Sequence, residues 1–208
     1  YLNTSGDYNS AFGMMALRTN TTGTRNLAFG YGAYDAADTE NDNLAIGYDA
    51  LGGAIDGGEY NVAIGNYSLD ANTTGDYNLG IGYNALTANT TGLSNISLGY
   101  TSLYSNESGD RNIAIGTSSL YTNTTGNFNV AVGYNSLLLS TSASSNTAVG
   151  YNSLKTNTTG TLNVALGRDA LIYNTTGSNN TAVGYQSLVD NTTGVRNIAI
   201  GNLAYDDA

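Results

Sequence analysis

The chain has 208 residues, of which 16 are acidic and 6 are basic, so its formal net charge is -10. This charge repels phosphate backbones and anionic lipid surfaces, and the sequence therefore predicts neither nucleic acid nor a membrane as a partner. The composition includes 27 Gly and 17 Tyr but no Cys, His, Pro or Trp. Thiol nucleophiles, histidine acid–base chemistry and the usual zinc sites are excluded with those residue types.

The sequence from Tyr1 to Ala208 shows no signal peptide, and any targeting or anchoring segment is expected to lie outside it. No apolar run approaches the roughly 20 residues that span a bilayer, so no membrane insertion is expected. The first residues, from Tyr1 to Gly6, have the composition of a turn and not of a signal peptide. Because they and Ala208 fall at a similar phase of the repeat described next, we expect the chain to be a fragment of a longer protein.

A short pattern recurs along the whole chain: Asn, a mostly apolar residue, a small residue, an apolar residue and Gly. The spacing is 17 residues with a single step of 18, which indicates one repeat array over residues 1–208. We number each unit from its Asn as position 1. The units begin at Asn9, Asn26, Asn43, Asn61, Asn78, Asn95, Asn112, Asn129, Asn146, Asn163, Asn180 and Asn197.

The order of residue types within a unit predicts two short strands and two turns. Positions 2 and 4 lie on one side of an extended segment and position 3 on the other. A second strand is predicted around positions 8 to 10, with Leu at position 9 in most units. Asn-Thr-Thr-Gly at positions 12 to 15 then turns the chain, since Asn and Gly both suit turns.

Two short strands cannot bury an apolar face alone, but stacked copies can. The sequence therefore predicts an all-β fold, a β-solenoid (β-roll) of about twelve 17-residue coils. Stacking at about 4.8 Å per coil gives a rod roughly 55 to 60 Å long. Helices are excluded because Asn and Gly recur within each unit, and a propeller blade needs about 40 residues.

The alternation predicts which side chains fill each coil. In the unit that begins at Asn129, Val130 and Val132 are expected to point inward and Leu137 to close the coil. Ala131 is then expected to point outward, where a small residue suits close approach by another backbone. We expect this contact to join three copies of the chain in a parallel homotrimer. A monomer remains the alternative, in which the small residues pack across the thin interior of one coil.

The Asn at position 1 and the Gly at position 5 occur in every unit. In stacked coils the Asn amides can hydrogen-bond along the rod and satisfy polar groups that would otherwise be buried without partners. This structural ladder is expected to include Asn129, Gly133, Asn146, Gly150, Asn163 and Gly167.

Tyrosine at position 6 predicts an aromatic stripe that is a candidate surface contact. One interpretation is that these rings cover the junction between strands or chains, and the other is that they bind a glycan or a receptor. The stripe is interrupted at Met14, Asn66, Thr117, Arg168 and Asn202. Its tyrosines are Tyr31, Tyr48, Tyr83, Tyr100, Tyr134, Tyr151 and Tyr185.

The Asn-Thr-Thr-Gly turns allow two further interpretations. Their Thr pairs, such as Thr124-Thr125, resemble the arrays of ice-binding solenoids, although turn chemistry also explains them. In a eukaryotic secretory context the turns would also be acceptors for N-glycosylation. The Asn residues that meet that motif are Asn3, Asn20, Asn72, Asn89, Asn106, Asn123, Asn157, Asn174 and Asn191.

The acidic residues are dispersed except for a group formed by Asp35, Asp38, Glu40 and Asp42, with Asp56 and Glu59 one unit later. Hard cations such as calcium prefer several carboxylates, but no calcium-binding motif is present, and a solvated acidic edge is the simpler interpretation. No catalytic residues and no nucleophile–base or phosphate-loop arrangement are apparent. The sequence predicts no enzyme, no cofactor and no metal site.

The unit Asn-Thr-Ala-Val-Gly-Tyr-Asn-Ser-Leu at 146–154, followed by Asn-Thr-Thr-Gly at 157–160, resembles the repeats of bacteriophage tail fibres and bacterial surface fibre proteins. More remotely, Asn-x-Ala-Ile-Gly is similar to the β-roll head of trimeric autotransporter adhesins. The resemblance implies a trimeric, extracellular fibre segment on a virion or a cell, which gives rigid extension and multivalent display for attachment. The alternative is a solenoid that itself binds glycan or ice.

Overall fold

The computed structural model describes residues 2–36, 38–53 and 56–205, so Tyr1 and Ala208, on which the fragment prediction rests, lie outside the described residues. The described residues form a β-solenoid in which each unit is one coil with one three-residue strand, and the twelve strands form a single parallel sheet in sequence order. The strands are β1 Ser10–Phe12, β2 Leu27–Phe29, β3 Leu44–Ile46, β4 Val62–Ile64, β5 Leu79–Ile81, β6 Ile96–Leu98, β7 Ile113–Ile115, β8 Val130–Val132, β9 Thr147–Val149, β10 Val164–Leu166, β11 Thr181–Val183 and β12 Ile198–Ile200.

Equivalent residues of successive coils pair in register, so each position of the repeat forms a column along the rod. Ala131 of β8, for example, pairs with Ala114 of β7 and with Ala148 of β9. The longer step preserves this register, since Ala45 of β3 pairs with Ala63 of β4. The extra residue is therefore accommodated outside the strands.

In strands β2 to β12 the side chains point the opposite way from our prediction, with the middle residue buried. Ala131 is fully buried inside the coil, whereas Val130 and Val132 face outward and are partly exposed. The interior is thin and consists mainly of Ala at position 3, Ser or Ala at position 8 and Leu at position 9. The predicted outward contact through Ala131 is therefore wrong, and the outward apolar residues are those at positions 2 and 4.

The predicted second strand is also absent from the coils that the structure describes. In the coil that begins at Asn129, residues 134–139 form turns, and Asn135 and Leu137 have positive φ angles of 54° and 51°. Left-handed residues at positions 7 and 9 bend the chain out of an extended path. The main chain nevertheless bonds to both adjacent coils, because Asn135 N donates to Thr117 O and Leu137 N to Ser153 O.

The Asn at position 1 joins each coil to its neighbours. The main-chain N–H of Asn146 donates to Asn129 Oδ1 at 3.0 Å, and that of Asn163 donates to Asn146 Oδ1 at 3.0 Å. Within its own coil, Asn129 Nδ2 donates to the carbonyl of Ala143 at 2.8 Å. Each buried amide thus satisfies main-chain groups at two places, which is how a buried polar side chain avoids a desolvation penalty.

Glycine at position 5 is required by the path of the chain. Gly133 has a φ of 134°, and a Cβ there would overlap the carbonyl oxygen of Gly150 in the next coil. Any other residue would therefore be strained both by its backbone angle and by this contact. Gly150 and Gly167 have the same geometry, with φ angles of 136° and 140°.

Thr101 occupies the left-handed position 7 with a φ of 50°, where a β-branched residue is unfavourable. We expect Thr101→Asn to raise the free energy of unfolding by about 1 kcal/mol, because Asn tolerates this conformation. Asn135 and Asn152 show that Asn fits the same column. Urea unfolding measures the change, and Thr125→Asn, at an exposed position without positive φ, is the control that should bring no gain. Equal effects of the two changes would contradict the backbone explanation.

Candidate functional site

The outward side chains of positions 2 and 4 form one continuous apolar surface, which we call the sheet face. In the middle of the rod, Ile96 and Leu98 remain 37% and 43% exposed. None of the side chains of the sheet face is charged, and the polar ones are Ser10, Thr147 and Thr181. A soluble surface rarely carries so long a strip of mostly apolar, uncharged side chains unless something binds it.

The dimensions of the sheet face match those of a protein interface. Twelve strands at about 4.8 Å spacing give a length of about 53 Å, and two outward columns with their borders give a width of about 14 Å. The resulting area, about 740 Å², is close to the roughly 800 Å² that each partner contributes to a stable protein–protein interface. The sheet face is therefore large enough to hold a partner along the whole rod.

The tyrosines at position 6 border the sheet face and stack along the rod. The ring centroids of Tyr83 and Tyr100 lie 5.5 Å apart with planes 10° from parallel, and those of Tyr134 and Tyr151 lie 5.4 Å apart at 9°. Tyr31 and Tyr48 form a third stacked pair at 5.3 Å. The register of the sheet thus brings six of the seven tyrosines at position 6 together in three pairs, and Tyr185 lies instead against Arg168.

Two of the interruptions that the sequence indicated are filled in the structure. Beside Asn66, Tyr67 from position 7 packs edge-on against both Tyr48 and Tyr83, at centroid distances of 5.3 and 6.0 Å. In a later coil, the guanidinium of Arg168 at position 6 lies 5.6 Å from the rings of both Tyr151 and Tyr185. We use the name tyrosine column for the side chains at position 6 together with Tyr67. The sequence could have indicated both contacts, because Tyr67 and Arg168 lie next to or within the stripe.

Stacking limits what the tyrosine column can bind. A sugar ring packs on the face of an aromatic ring, but the paired tyrosines cover one another's faces and present their edges and hydroxyl groups to solvent. The tyrosine column therefore offers a glycan fewer ring faces than the sequence indicated.

The threonines of the Asn-Thr-Thr-Gly turns likewise make hydrogen bonds within the fold. The hydroxyl groups at position 13 donate to main-chain carbonyls of the next coil, as Thr124 does to Thr141 at 3.0 Å and Thr158 to Thr175 at 3.0 Å. These threonines hold the turns of adjacent coils together. The structure therefore supplies a structural reason for their regular spacing.

The Asn residues at position 12 form a second amide ladder inside the rod. Asn89 Nδ2 donates to Asn72 Oδ1 at 2.9 Å, and Asn123 Nδ2 donates to Asn106 Oδ1 at 2.8 Å. The folded coil does not present these amides to a glycosyltransferase, because they lie in its interior. Of the candidate glycosylation sites, Asn191 is partly buried, and the completely buried ones are Asn72, Asn89, Asn106, Asn123, Asn157 and Asn174.

The acidic residues near the start of the rod do not form a metal site. Among residues 2–36, 38–53 and 56–205, no group of three carboxylates is close enough to hold a metal ion. The buried carboxylate of Glu40 accepts hydrogen bonds from the main-chain N–H groups of Asp38, Thr39 and Gly57. Glu40 thus stabilises the turn in a coil that lacks Asn at position 12.

Asp70 is half-buried, and burial together with the charges of Asp49 and Asp35 raises its pKa above the ordinary value. A carboxyl group whose pKa is raised by folding binds its proton more tightly in the native state, so stability falls as the pH rises through that pKa. We expect Asp70→Asn to stabilise the rod at pH 7 by about 0.5 kcal/mol after solvent screening. The advantage should disappear at about pH 3, where aspartate is protonated in both states.

Thermal unfolding of both proteins between these pH values measures the effect of Asp70→Asn. Asp190→Asn is the matched control, because Asp190 is exposed to solvent. A pH-independent difference between Asp70→Asn and the unmodified chain would contradict the electrostatic explanation.

No described segment forms a helix that could cross a membrane. No protein-family model, curated protein or solved structure matches the chain.

Proposed function

We propose that this chain is a non-enzymatic structural segment of an extracellular fibre, carried by a virion or a cell, that gives rigid extension and multivalent display for attachment. The observation that carries the proposal is the single in-register sheet of twelve strands, in which every coil bonds to the next through strand, turn and amide contacts. A rod of this kind resists bending because each strand from β1 to β12 pairs with the next strand along the chain. Multivalent display then adds weak contacts together.

We propose further that the fibre segment is a parallel homotrimer whose copies pack their sheet faces around a common axis. The absence of charge on the sheet face supports self-association, because two charged surfaces would pay a desolvation cost that this one avoids. A parallel arrangement gives every coil the same surroundings and lets the rod continue in one direction. The partner is thus the chain itself, and any glycan or receptor would bind elsewhere on the fibre.

Small-angle scattering and analytical ultracentrifugation of the purified chain test both parts of this proposal. We expect a rigid rod about 53 Å long with three times the 21.5 kDa mass of one chain. A monomeric rod would contradict the trimer and leave the sheet face without a partner. A flexible or compact particle would contradict the structural role itself.

A further inference from the structure

The tyrosine column has one opening, between Tyr100 and Tyr134. These rings belong to coils two steps apart, and position 6 of the intervening coil is Thr117, whose short side chain does not fill the space between them. At about 4.8 Å per coil the two rings are separated by about 10 Å. Tyr100 stacks on Tyr83 and Tyr134 stacks on Tyr151, each on the side away from Thr117. The second ring face of each tyrosine is therefore turned toward Thr117.

The same column shows what fits into such an opening. Tyr151 and Tyr185 are also two coils apart, and the guanidinium of Arg168 lies between them at 5.6 Å from each ring centroid. A planar cation placed over a tyrosine ring is attracted by the negative face of the ring. Its thin shape also allows contact with two rings at once. Arg168 is held in addition by Asp169 Oδ2, which accepts a hydrogen bond from Nε at 3.1 Å.

The other interruptions of the column do not offer a comparable opening. Tyr67 fills the interval beside Asn66, and Met14 and Asn202 lie beyond the outermost tyrosines of the column. The opening at Thr117 is therefore distinct within the described column. Its neighbour at position 7 is Ser118, where the coil that contains Arg168 has Asp169, so the opening lacks the carboxylate that anchors the internal guanidinium.

We infer that Tyr100, Thr117 and Tyr134 form a binding site for a planar guanidinium-type cation, whose occupant is an arginine side chain presented by a partner protein. The two ring faces supply the recognition, and the net charge of -10 draws cations toward the rod. The site lies at the border of the sheet face. Its partner is different from the copies proposed to cover the sheet face.

Two probes with the same type of head group test the inference on the full chain: benzamidinium and the peptide acetyl-Gly-Arg-Gly-amide. Ring signals of labelled tyrosines are followed by NMR during each titration. We expect saturable shifts at Tyr100 and Tyr134, one equivalent bound per chain, and no binding of neutral benzamide. Absence of saturable shifts, or equal binding of benzamide, would overturn the inference. Binding of benzamidinium without the peptide would overturn arginine as the occupant.

Variants copied from the occupied site sharpen the test. Thr117→Arg should fill the opening from within, as Arg168 does, and weaken probe binding at least tenfold. Ser118→Asp should supply the missing carboxylate and tighten binding severalfold. Arg168→Thr should empty the second position and raise the stoichiometry from one to two. Unchanged binding in Thr117→Arg would place the probe elsewhere and overturn the site.

Two variants of Tyr134 test whether the aromatic ring itself recognises the cation. Tyr134→Phe keeps the aromatic face and should bind the probes within about twofold of the unmodified chain, whereas Tyr134→Leu should lose at least fivefold, because the leucine side chain offers no ring face to the cation. Equal affinities in the two variants would exclude recognition by the ring face. Circular dichroism of each variant confirms that the solenoid remains folded.

Discussion

Replacing Ile115 with lysine is expected to separate the copies of the rod while leaving each copy folded. Ile115 lies at position 4 in the middle of the sheet face, between Leu98 and Val132 of the adjacent strands. In a single chain a lysine there can extend into solvent at no great cost. In the proposed trimer, three ammonium groups would meet near the common axis, and burying each would cost about 3 to 5 kcal/mol.

The measurement is the mass of Ile115→Lys in dilute solution, compared with circular dichroism of the same sample. Thr125→Lys is the matched control, because Thr125 is exposed on the turn edge, away from the sheet face. We expect the control to keep the mass of the unmodified chain and Ile115→Lys to fall to 21.5 kDa. A trimer that survives Ile115→Lys would show that the copies associate through another surface.

The second large effect is a change in stability, and it is expected where the amide ladder of position 12 is interrupted. Asn123 Oδ1 and Ser140 Oγ are buried without hydrogen-bond partners in the described part of the chain, because Ser140 replaces Asn at position 12 of its coil. The same coil has Ala143 at position 15, where the coils with Asn at position 12 have Gly. A Cβ at Gly126 would overlap Asn123 Oδ1, which explains why Asn and Gly occur together.

We therefore expect Ser140→Asn and Ala143→Gly to be strongly coupled. Ser140→Asn alone should destabilise by about 1 to 3 kcal/mol through overpacking against Ala143, and Ala143→Gly alone by about 0.5 to 1 kcal/mol. The double variant should be more stable than the unmodified chain by about 1 to 2 kcal/mol. Its new amide can donate to Asn123 Oδ1 and accept from Asn157 Nδ2, and each bond contributes about 0.5 to 1.5 kcal/mol.

Urea unfolding of the four proteins gives the coupling free energy directly. The matched control repeats Ala143→Gly with Ser140→Ala, which creates no amide and should show little coupling. Additive effects of Ser140→Asn and Ala143→Gly would contradict the proposed contact between positions 12 and 15.

The architecture could be predicted from the sequence because it depends on spacing alone. The regular recurrence of Asn and Gly fixes the coils, and the single longer step lies between β3 and β4. The direction of the strand side chains could not be inferred, because both Ala131 and its neighbours Val130 and Val132 are apolar. The decision depends on volume: so short a coil leaves too little interior for two branched side chains per strand beside Leu137, so the smaller residue points inward.

The candidate surfaces were only partly predictable for a related reason. The recurrence of Tyr at position 6 identified the stripe, whereas Tyr67 and Arg168 were noticed only as departures from the repeat, although both lie next to or within the stripe. The buried state of the Asn residues at position 12 was also hidden, because Asn-Thr-Thr-Gly is a common turn sequence on protein surfaces. The sequence feature that could have revealed this burial is the joint occurrence of Asn at position 12 and Gly at position 15.

The register between β3 and β4 has a consequence for how such a chain can change over generations. The coil between them is one residue longer than the others, yet Leu44, Ala45 and Ile46 pair with Val62, Ala63 and Ile64 as in every other coil. Each coil bonds only to its two neighbours, so the gain or loss of a whole coil, or of one residue between strands, leaves the register of the remaining coils intact. Rod length can therefore drift in steps of about 4.8 Å while each surface keeps its chemistry.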